Sequence, residues 1–319
     1  MQPLKITFTD KYLFPEQQFK FAFPVEYTEH HQMTQQQLET LVHHQDVLMV
    51  SELEVNQQVL EHNPDLKLLA LCSTGYNHVD LELMQRHGVK VCNIRGQATD
   101  AVAEHAFILM INLIKNFPVQ CQAVEQGKWS GEASFYLAAP MRELKGKTLA
   151  ILGKGTIGSS LAEKARAFGM QVIFSEHKQA TTCREGYVPF QQAIAQADVV
   201  SLHCVLNAET EQMMDLAVFE QMKPNAILIN VGRGGLVNNQ DVITALEQGL
   251  LAGYGADVLD QEPPPADHPL LNVQHPNVMI TAHIAWATDE AQQRLFDMLQ
   301  DNVNQNMQGT AQNLVGFVR

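Results

Sequence analysis

A chain of 319 residues with 45% hydrophobic residues is long enough to bury two cores. Asp and Glu outnumber Lys and Arg by 35 to 21, and the net charge of −14 argues against nucleic acid or an anionic membrane as a partner. No run approaches a membrane span, and residues 1–10 (MQPLKITFTD) lack the long apolar core of a signal peptide.

From the N-terminus, short apolar runs alternate with helical patterns. Residues 4–9, 47–50, 68–72 and 89–93 read as strands, and 34–42, 55–62 and 80–87 as helices. That alternation predicts an open parallel sheet. The loop 73–80 (STGYNHVD) follows the third strand, at the carboxyl end where such sheets place ligands. On local grounds it is an ordinary βα loop with Asp80 as the helix cap. The pairs His30–His31 and His43–His44 lie in polar stretches and read as surface residues, so no metal site is expected. Five cysteines, Cys72, Cys92, Cys121, Cys183 and Cys204, are scattered without a C-x-x-C, which predicts buried, reduced thiols in a cytoplasmic protein.

Residues 100–115 (DAVAEHAFILMINLIK) are apolar on nearly every face after the first turn. Such a helix must be covered all round, by a sheet on one side and a domain or subunit interface on the other. Residues 119–142, with Gly127, Trp129, Gly131 and Pro140, read as an irregular arm.

Residues 147–176 (KTLAILGKGTIGSSLAEKARAFGMQVIFSE) organise the rest. A strand at 148–152 runs into Gly153, Gly155 and Gly158 in G-x-G-x-x-G spacing. Ile157, Leu161, Ala165 and Phe168 then recur at helical spacing, Gly169 stops the helix, and a second strand at 171–175 ends on Glu176. The first Gly allows the tight turn, the second lets backbone approach a pyrophosphate, and the third lets helix and strand pack closely. The helix N-terminus favours an anion, and the acid can bind a ribose diol, so the stretch predicts a dinucleotide site. Further strands at 198–203, 226–231, 251–258 and 278–282 complete its sheet, with helices near 215–222 and 240–248, and 287–307 is one long final helix. No internal repeat stands out.

Candidate chemistry sits at strand ends. Arg233, in NVGRGG, is suited to clamping a carboxylate through two parallel hydrogen bonds. Asp257 ends the next strand, Glu262 follows in DVLDQEPPP, and His283 ends the last strand.

Together these motifs resemble the D-isomer-specific 2-hydroxyacid dehydrogenase family over nearly the whole chain, most closely its glycerate dehydrogenase (hydroxypyruvate reductase) branch. The likeness rests on STGYNHVD at 73–80, GKWS at 127–130, ELKGKTLAILGKGTIG at 143–158, SEHK at 175–178, NVGRGGLVN at 230–238, DVLDQEP at 257–263 and TAHIAWA at 281–287. It implies an α/β fold of two Rossmann-like domains. A flavodoxin-like substrate domain would be built from both chain ends, 1–97 plus 285–319, with an NAD-binding Rossmann domain inserted at 98–284 and the active site in the cleft between them. Homodimers would be held by the cofactor domain.

By the same resemblance, Arg233 binds the carboxylate and carbonyl oxygen of a 2-keto acid. His283 donates the proton, Glu262 fixes its tautomer and raises its pKa, and the amides of Thr74 and Gly75 hold the substrate carboxylate. NAD would be held by Gly153, Gly155, Thr156, Ile157 and Gly158, and by Glu176 at the ribose. The loop residues His203, Cys204, Leu206 and Thr210 would run along it, with Val231, Gly232, Arg233 and Asp257 near the nicotinamide, Asp257 on its carboxamide. Two departures stand out: Arg95 and Val205 occupy positions where the family commonly has Pro.

The implied reaction is NADH-dependent reduction of hydroxypyruvate or glyoxylate to the D-2-hydroxy acid, reversible as D-glycerate dehydrogenase. Rival readings are a relative acting on a phosphorylated or bulkier 2-hydroxy acid, and an NADH-sensing corepressor-like binding protein, for which the extra disordered tails are missing. Glu176 would repel a 2′-phosphate, and one such contact of about 1–3 kcal/mol corresponds to roughly ten- to a hundredfold preference for NADH. Lys178 would soften that preference only by swinging inward; otherwise it is a solvated turn residue.

Overall fold

The computed structural model describes residues 2–131, 134–273 and 275–316. It forms two compact units, Met1–Gln97 with Thr288–Arg319, and Ala98–Ala287.

In the first unit, β1 (Leu4–Phe8), β2 (Val25–Glu29), β3 (Val47–Val50), β4 (Leu68–Leu71) and β5 (Lys90–Cys92) pair in parallel, with α1 (Gln35–Leu41), α2 (Gln57–His62) and α3 (Leu81–Arg86) as crossovers. Thr34 caps α1 in a reciprocal capping box with Gln37, and the carboxylate of Asp80 caps α3. Every residue of β3 and β4 is buried, the mark of a strand covered on both faces. The sequence pattern passed over β2, because VEYTE is half exposed on the sheet edge and carries no apolar run.

The second unit opens with α4 (Thr99–Lys115), which ends at Asn116 in a left-handed conformation with φ 48°. Then α5 (Phe117–Glu125) begins, with Pro118 in its first turn. The expectation of an irregular segment from 119 is therefore corrected for 119–125. Its sheet is β6 (Thr148–Leu152), β7 (Gln171–Ser175), β8 (Val199–Leu202), β9 (Ile227–Asn230), β10 (Gly253–Ala256) and β11 (Val278–Ile280), all parallel. Crossovers are α6 (Thr156–Ala167), α7 (Phe190–Gln196), α8 (Leu216–Phe219) and α9 (Asn239–Glu247). One core lies on the α4–α6 face of the sheet and another on the α7–α9 face. The strand order is β11-β10-β9-β8-β6-β7. The chain reverses direction across the sheet between β6 and β8, the position where open α/β sheets form a ligand crevice.

The chain then returns to the first unit as α10 (Asp289–Met307) and a short antiparallel edge strand, β12 (Leu314–Val315), beside β5. Side-chain amides knit this return in place: buried Asn302 donates to the Asn93 carbonyl at 2.9 Å, and Asn313 donates to the Asn302 side chain at 2.8 Å. The first sheet runs β12-β5-β4-β3-β1-β2. Apart from its antiparallel edge, its 2-1-3-4-5 order matches the first five strands of the second sheet, which adds a sixth parallel strand, β11. No single helix among the described residues is long and apolar enough to cross a membrane. The expected burial of all five thiols holds only for Cys72 and Cys92; Cys121 and Cys183 are exposed and Cys204 lies between.

Candidate active site

The glycine turn between β6 and α6 is built as its spacing dictates. Gly153 has φ +110°, and a Cβ there would lie 2.5 Å from the His203 carbonyl carbon. At Gly158 a Cβ would strike the Gly153 carbonyl. At Gly155, the N-cap of α6, a Cβ would meet nothing within 4 Å. The space above Gly155 is thus open, beside first-turn N–H groups of Thr156, Ile157 and Gly158 that the helix itself leaves free. A pyrophosphate fits there. Ile157 packs into the core below and anchors the turn.

A cleft of about 160 Å³ runs from this turn past Glu176 to Thr210. Its floor holds a feature not legible in the sequence. The Glu176 carboxylate accepts from the His177 amide at 2.9 Å and the Arg184 amide at 3.1 Å, and from Arg184 Nη2 at 2.6 Å and Nε at 2.8 Å. All four of its acceptor positions are filled. The Arg184 guanidinium and these backbone donors hold its pKa down at about 2. The expected open acceptor for a ribose diol is therefore closed by a bidentate ion pair. Lys178 stands in the cleft wall with its ammonium tied back: its Nζ donates to the Met213 carbonyl at 2.8 Å and to Asp215 at 2.9 Å.

The loop after β8 lines the same cleft. His203 shares a 2.8 Å hydrogen bond with Ser201, and burial of its ring pushes its pKa down to about 4, so it is neutral. Burial pushes the Cys204 thiol up to about 11. The Thr210 hydroxyl donates to the Val205 carbonyl at 2.7 Å and accepts from the Asn207 amide at 2.8 Å, so it closes the loop on itself. Leu206 packs against Gly235, and Val205 extends into solvent. Val231 is buried, and the Gly232 amide donates to the Asn230 side chain at 3.1 Å.

At the ends of the next strands the catalytic candidates come together. Gly234 lets the turn after Arg233 press against the backbone of Leu259 and Asp260, where any Cβ would clash. His283 Nδ1 lies 2.6 Å from Glu262 Oε2, and Glu262 Oε1 accepts from the Leu259 amide at 2.7 Å. Glu262 raises the His283 pKa, outweighing partial burial and the Arg233 charge, which both push down. Burial pushes Glu262 up, but its hydrogen bond and charge pairing with His283, the Leu259 amide and the Arg233 charge leave its pKa below the usual value. Arg233 donates to its neighbouring Gly232 carbonyl at 2.8 Å.

Asp257 follows the last residue of β10, as the sequence suggests. It is fully buried, accepting from Thr281 Oγ1 at 2.5 Å, the Ile284 amide at 2.9 Å and the Ala285 amide at 2.8 Å. Its own carbonyl accepts from the His283 amide at 2.8 Å. His105 completes the cluster 2.8 Å from Thr281 Oγ1. Asp257 thereby clamps the turn that carries His283 at φ 54°, a left-handed conformation that a non-glycine residue keeps only when its surroundings hold it. Neither the Asp257 clamp nor the contribution of His105 was visible in the sequence.

In the first unit, Thr74 is exposed, and the amides of Thr74 and Gly75 have no acceptor among the described residues. The Asn93 side chain, which donates to the Thr74 carbonyl at 2.8 Å, fixes the loop. Arg95 donates to Asn93 Oδ1 at 3.1 Å and to the Leu314 carbonyl at 3.0 Å, so this departure from the family's Pro ties β5 to the returning chain end.

Residues 107–285 match the model of the D-isomer specific 2-hydroxyacid dehydrogenase NAD-binding domain. The chain belongs to this family. It is 35% identical to a glycerate dehydrogenase of Methylorubrum extorquens, over 98% of this chain and 98% of that protein. With a hydroxypyruvate reductase of Blautia hydrogenotrophica it shares 32% identity, over 85% of this chain and 84% of that one. Among solved structures, an NADPH-dependent glyoxylate/hydroxypyruvate reductase of Sinorhizobium meliloti superposes with a TM-score of 0.81 at 26% identity, covering 99% and 98% of the two chains. The protein is thus an oxidoreductase of the D-2-hydroxyacid dehydrogenase family with a dinucleotide-binding domain.

Proposed function

We propose that the protein reduces a small 2-keto acid, hydroxypyruvate or glyoxylate, to the D-2-hydroxy acid, and runs in reverse as a D-glycerate dehydrogenase. The observation that carries this reading is the His283–Glu262 pair at the strand ends of a dinucleotide-type sheet, close enough to Arg233 for its charge to act on both. A reduced nicotinamide dinucleotide, held at the glycine turn, would supply the hydride that C2 of the keto acid accepts. His283 gives its Nε2 proton to the carbonyl oxygen as that oxygen gains charge, and takes it back in the reverse direction. Glu262 holds the Nδ1–H tautomer and stabilises the imidazolium. Arg233 clamps the substrate carboxylate and polarises the carbonyl. The amides of Thr74 and Gly75 are a second proposed anchor for a carboxylate.

A homodimer is proposed from apolar exposure. Ile108, Phe117, Phe135, Leu137 and Met141 are each exposed in the second unit, and apolar side chains left open in this way suit a subunit contact. Five free cysteines fit a reducing, cytoplasmic setting.

The deciding experiment is NADH oxidation by the purified protein with hydroxypyruvate, glyoxylate, pyruvate and phenylpyruvate. Turnover is expected with one of the first two. A folded protein that binds the cofactor yet turns over none of the four would replace the enzyme reading with a nicotinamide-sensing, corepressor-like one.

A further inference from the structure

The relation of Arg184 to Glu176 is asymmetric. The Glu176 side chain is 3% exposed and Arg184 is 55% exposed, so the guanidinium faces the cleft and the carboxylate lies beneath it. Arg184 is itself fixed, with its guanidinium carbon 4.1 Å from the centre of the Tyr187 ring. Lys154 Nζ approaches the same ring at 5.3 Å. Two of the guanidinium donors serve Glu176, and the rest remain for another anion. Lys178, the cation the sequence suggested for such a role, is committed to Asp215. Although the whole chain is acidic, Lys154, Lys178 and Arg184 line this cleft against only Glu176 and Glu209.

We propose that Arg184 reads the 2′ position of the cofactor's adenosine ribose: it withdraws Glu176 from the diol and presents its own guanidinium to a 2′-phosphate, so that the cleft takes NADPH about as readily as NADH. This rests on the dinucleotide reading given above. A 2′-phosphate carries nearly two negative charges and would be repelled by a bare carboxylate, but here it meets the planar fork that suits it. The strong NADH preference expected from Glu176 alone is cancelled by its partner. When Arg184 is removed, the Glu176 carboxylate loses the cation that covers it and faces the ribose itself, which restores the preference.

Direct titration with two fragments that differ only by the 2′-phosphate, adenosine 2′,5′-bisphosphate and adenosine 5′-monophosphate, tests this without turnover. The unmodified protein is expected to bind the bisphosphate at least as well as the monophosphate. Arg184→Ala should weaken the bisphosphate tenfold or more and leave the monophosphate within about threefold, and Arg184→Lys should recover part of the loss. The ratio of kcat/KM for NADPH over NADH should fall in parallel. An unchanged binding ratio in Arg184→Ala, or more than tenfold discrimination against the bisphosphate by the unmodified protein, would overturn the role of Arg184 alone. Failure of the folded, unmodified protein to bind either fragment or either cofactor would overturn the dinucleotide reading of the cleft and this inference with it.

Discussion

His283 Nδ1 and Glu262 Oε2 stand 2.6 Å apart, a charge-assisted hydrogen bond between the ends of two successive strand segments. Because Nδ1 is engaged, Nε2 is the nitrogen left for the proton exchange proposed above. The pair therefore sets both the tautomer and the working pH of the site.

The first prediction follows from the raised His283 pKa. Reduction needs the imidazolium, so its rate should hold through neutral pH and decline only as pH climbs past the raised value. Oxidation needs neutral imidazole and should gain over the same range. Glu262→Gln removes the cause of the shift, and the alkaline limb for reduction should move to lower pH. A pH profile of kcat/KM in both directions checks this, and an unmoved limb in the variant would refute the coupling. His283→Ala should lower kcat by about two to four orders of magnitude with cofactor affinity kept.

Arg233 is expected to serve binding and chemistry together. Arg233→Ala should raise KM and lower kcat, because both the carboxylate clamp and the polarised carbonyl are lost. Arg233→Lys keeps the charge but not the planar fork, and should restore only a fraction of the activity. Steady-state kinetics with the preferred keto acid would show it; near-normal kcat/KM in Arg233→Ala would remove Arg233 from the site.

The fingerprint glycines should separate by experiment. Gly158→Ala places a methyl against the Gly153 carbonyl, an overpacking expected to cost about 1–3 kcal/mol and to lower Tm. Gly155→Ala meets open space, so Tm should hardly change while dinucleotide affinity falls. Thermal unfolding and cofactor titration of the two variants distinguish them. Equal loss of stability in both would contradict the open space assigned to the pyrophosphate.

Acid sensitivity should report on Glu176. Its pKa is lowered to about 2, first by the Arg184 side-chain hydrogen bond. A lowered carboxylate pKa contributes stability that is present above the unfolded value and lost as pH falls toward the folded one. The unmodified protein should therefore lose stability between about pH 4.5 and 2 through this group. Arg184→Ala brings the folded pKa back toward the unfolded one and should shrink that acid-dependent loss, as denaturant unfolding across the acid range would reveal.

Much of the fold and of the site is written locally. The strand at β6, the three glycines and the amphipathic α6 follow from apolar periodicity and from backbone conformations that only glycine takes easily, both set by residues a few positions apart. Arg233, Glu262 and His283 were legible for a related reason, since parallel strands deliver their carboxyl ends to one edge whatever the packing details. The short α5 and the edge strand β2 escaped because their periodicity is weak and one face of each is wet.

What local pattern could not decide was which polar groups would be used up by their neighbours. Arg184 reaches Glu176 only because the intervening loop doubles back, with the Val188 amide on the Phe174 carbonyl and the Glu176 amide on the Val188 carbonyl. Asp257 meets the Thr281–Ala285 turn through pairing between β10 and β11, and thereby becomes a clamp for His283. The two sheets share one strand order, yet their sequences carry no visible repeat, because β3, β4, β8 and β9 need only be apolar to be buried on both faces. Residue type and short-range spacing thus determined the glycine turn and the catalytic candidates. The tertiary structure alone decided which carboxylates stay open to a ligand, since hydrogen-bond saturation depends on groups brought together from distant parts of the chain.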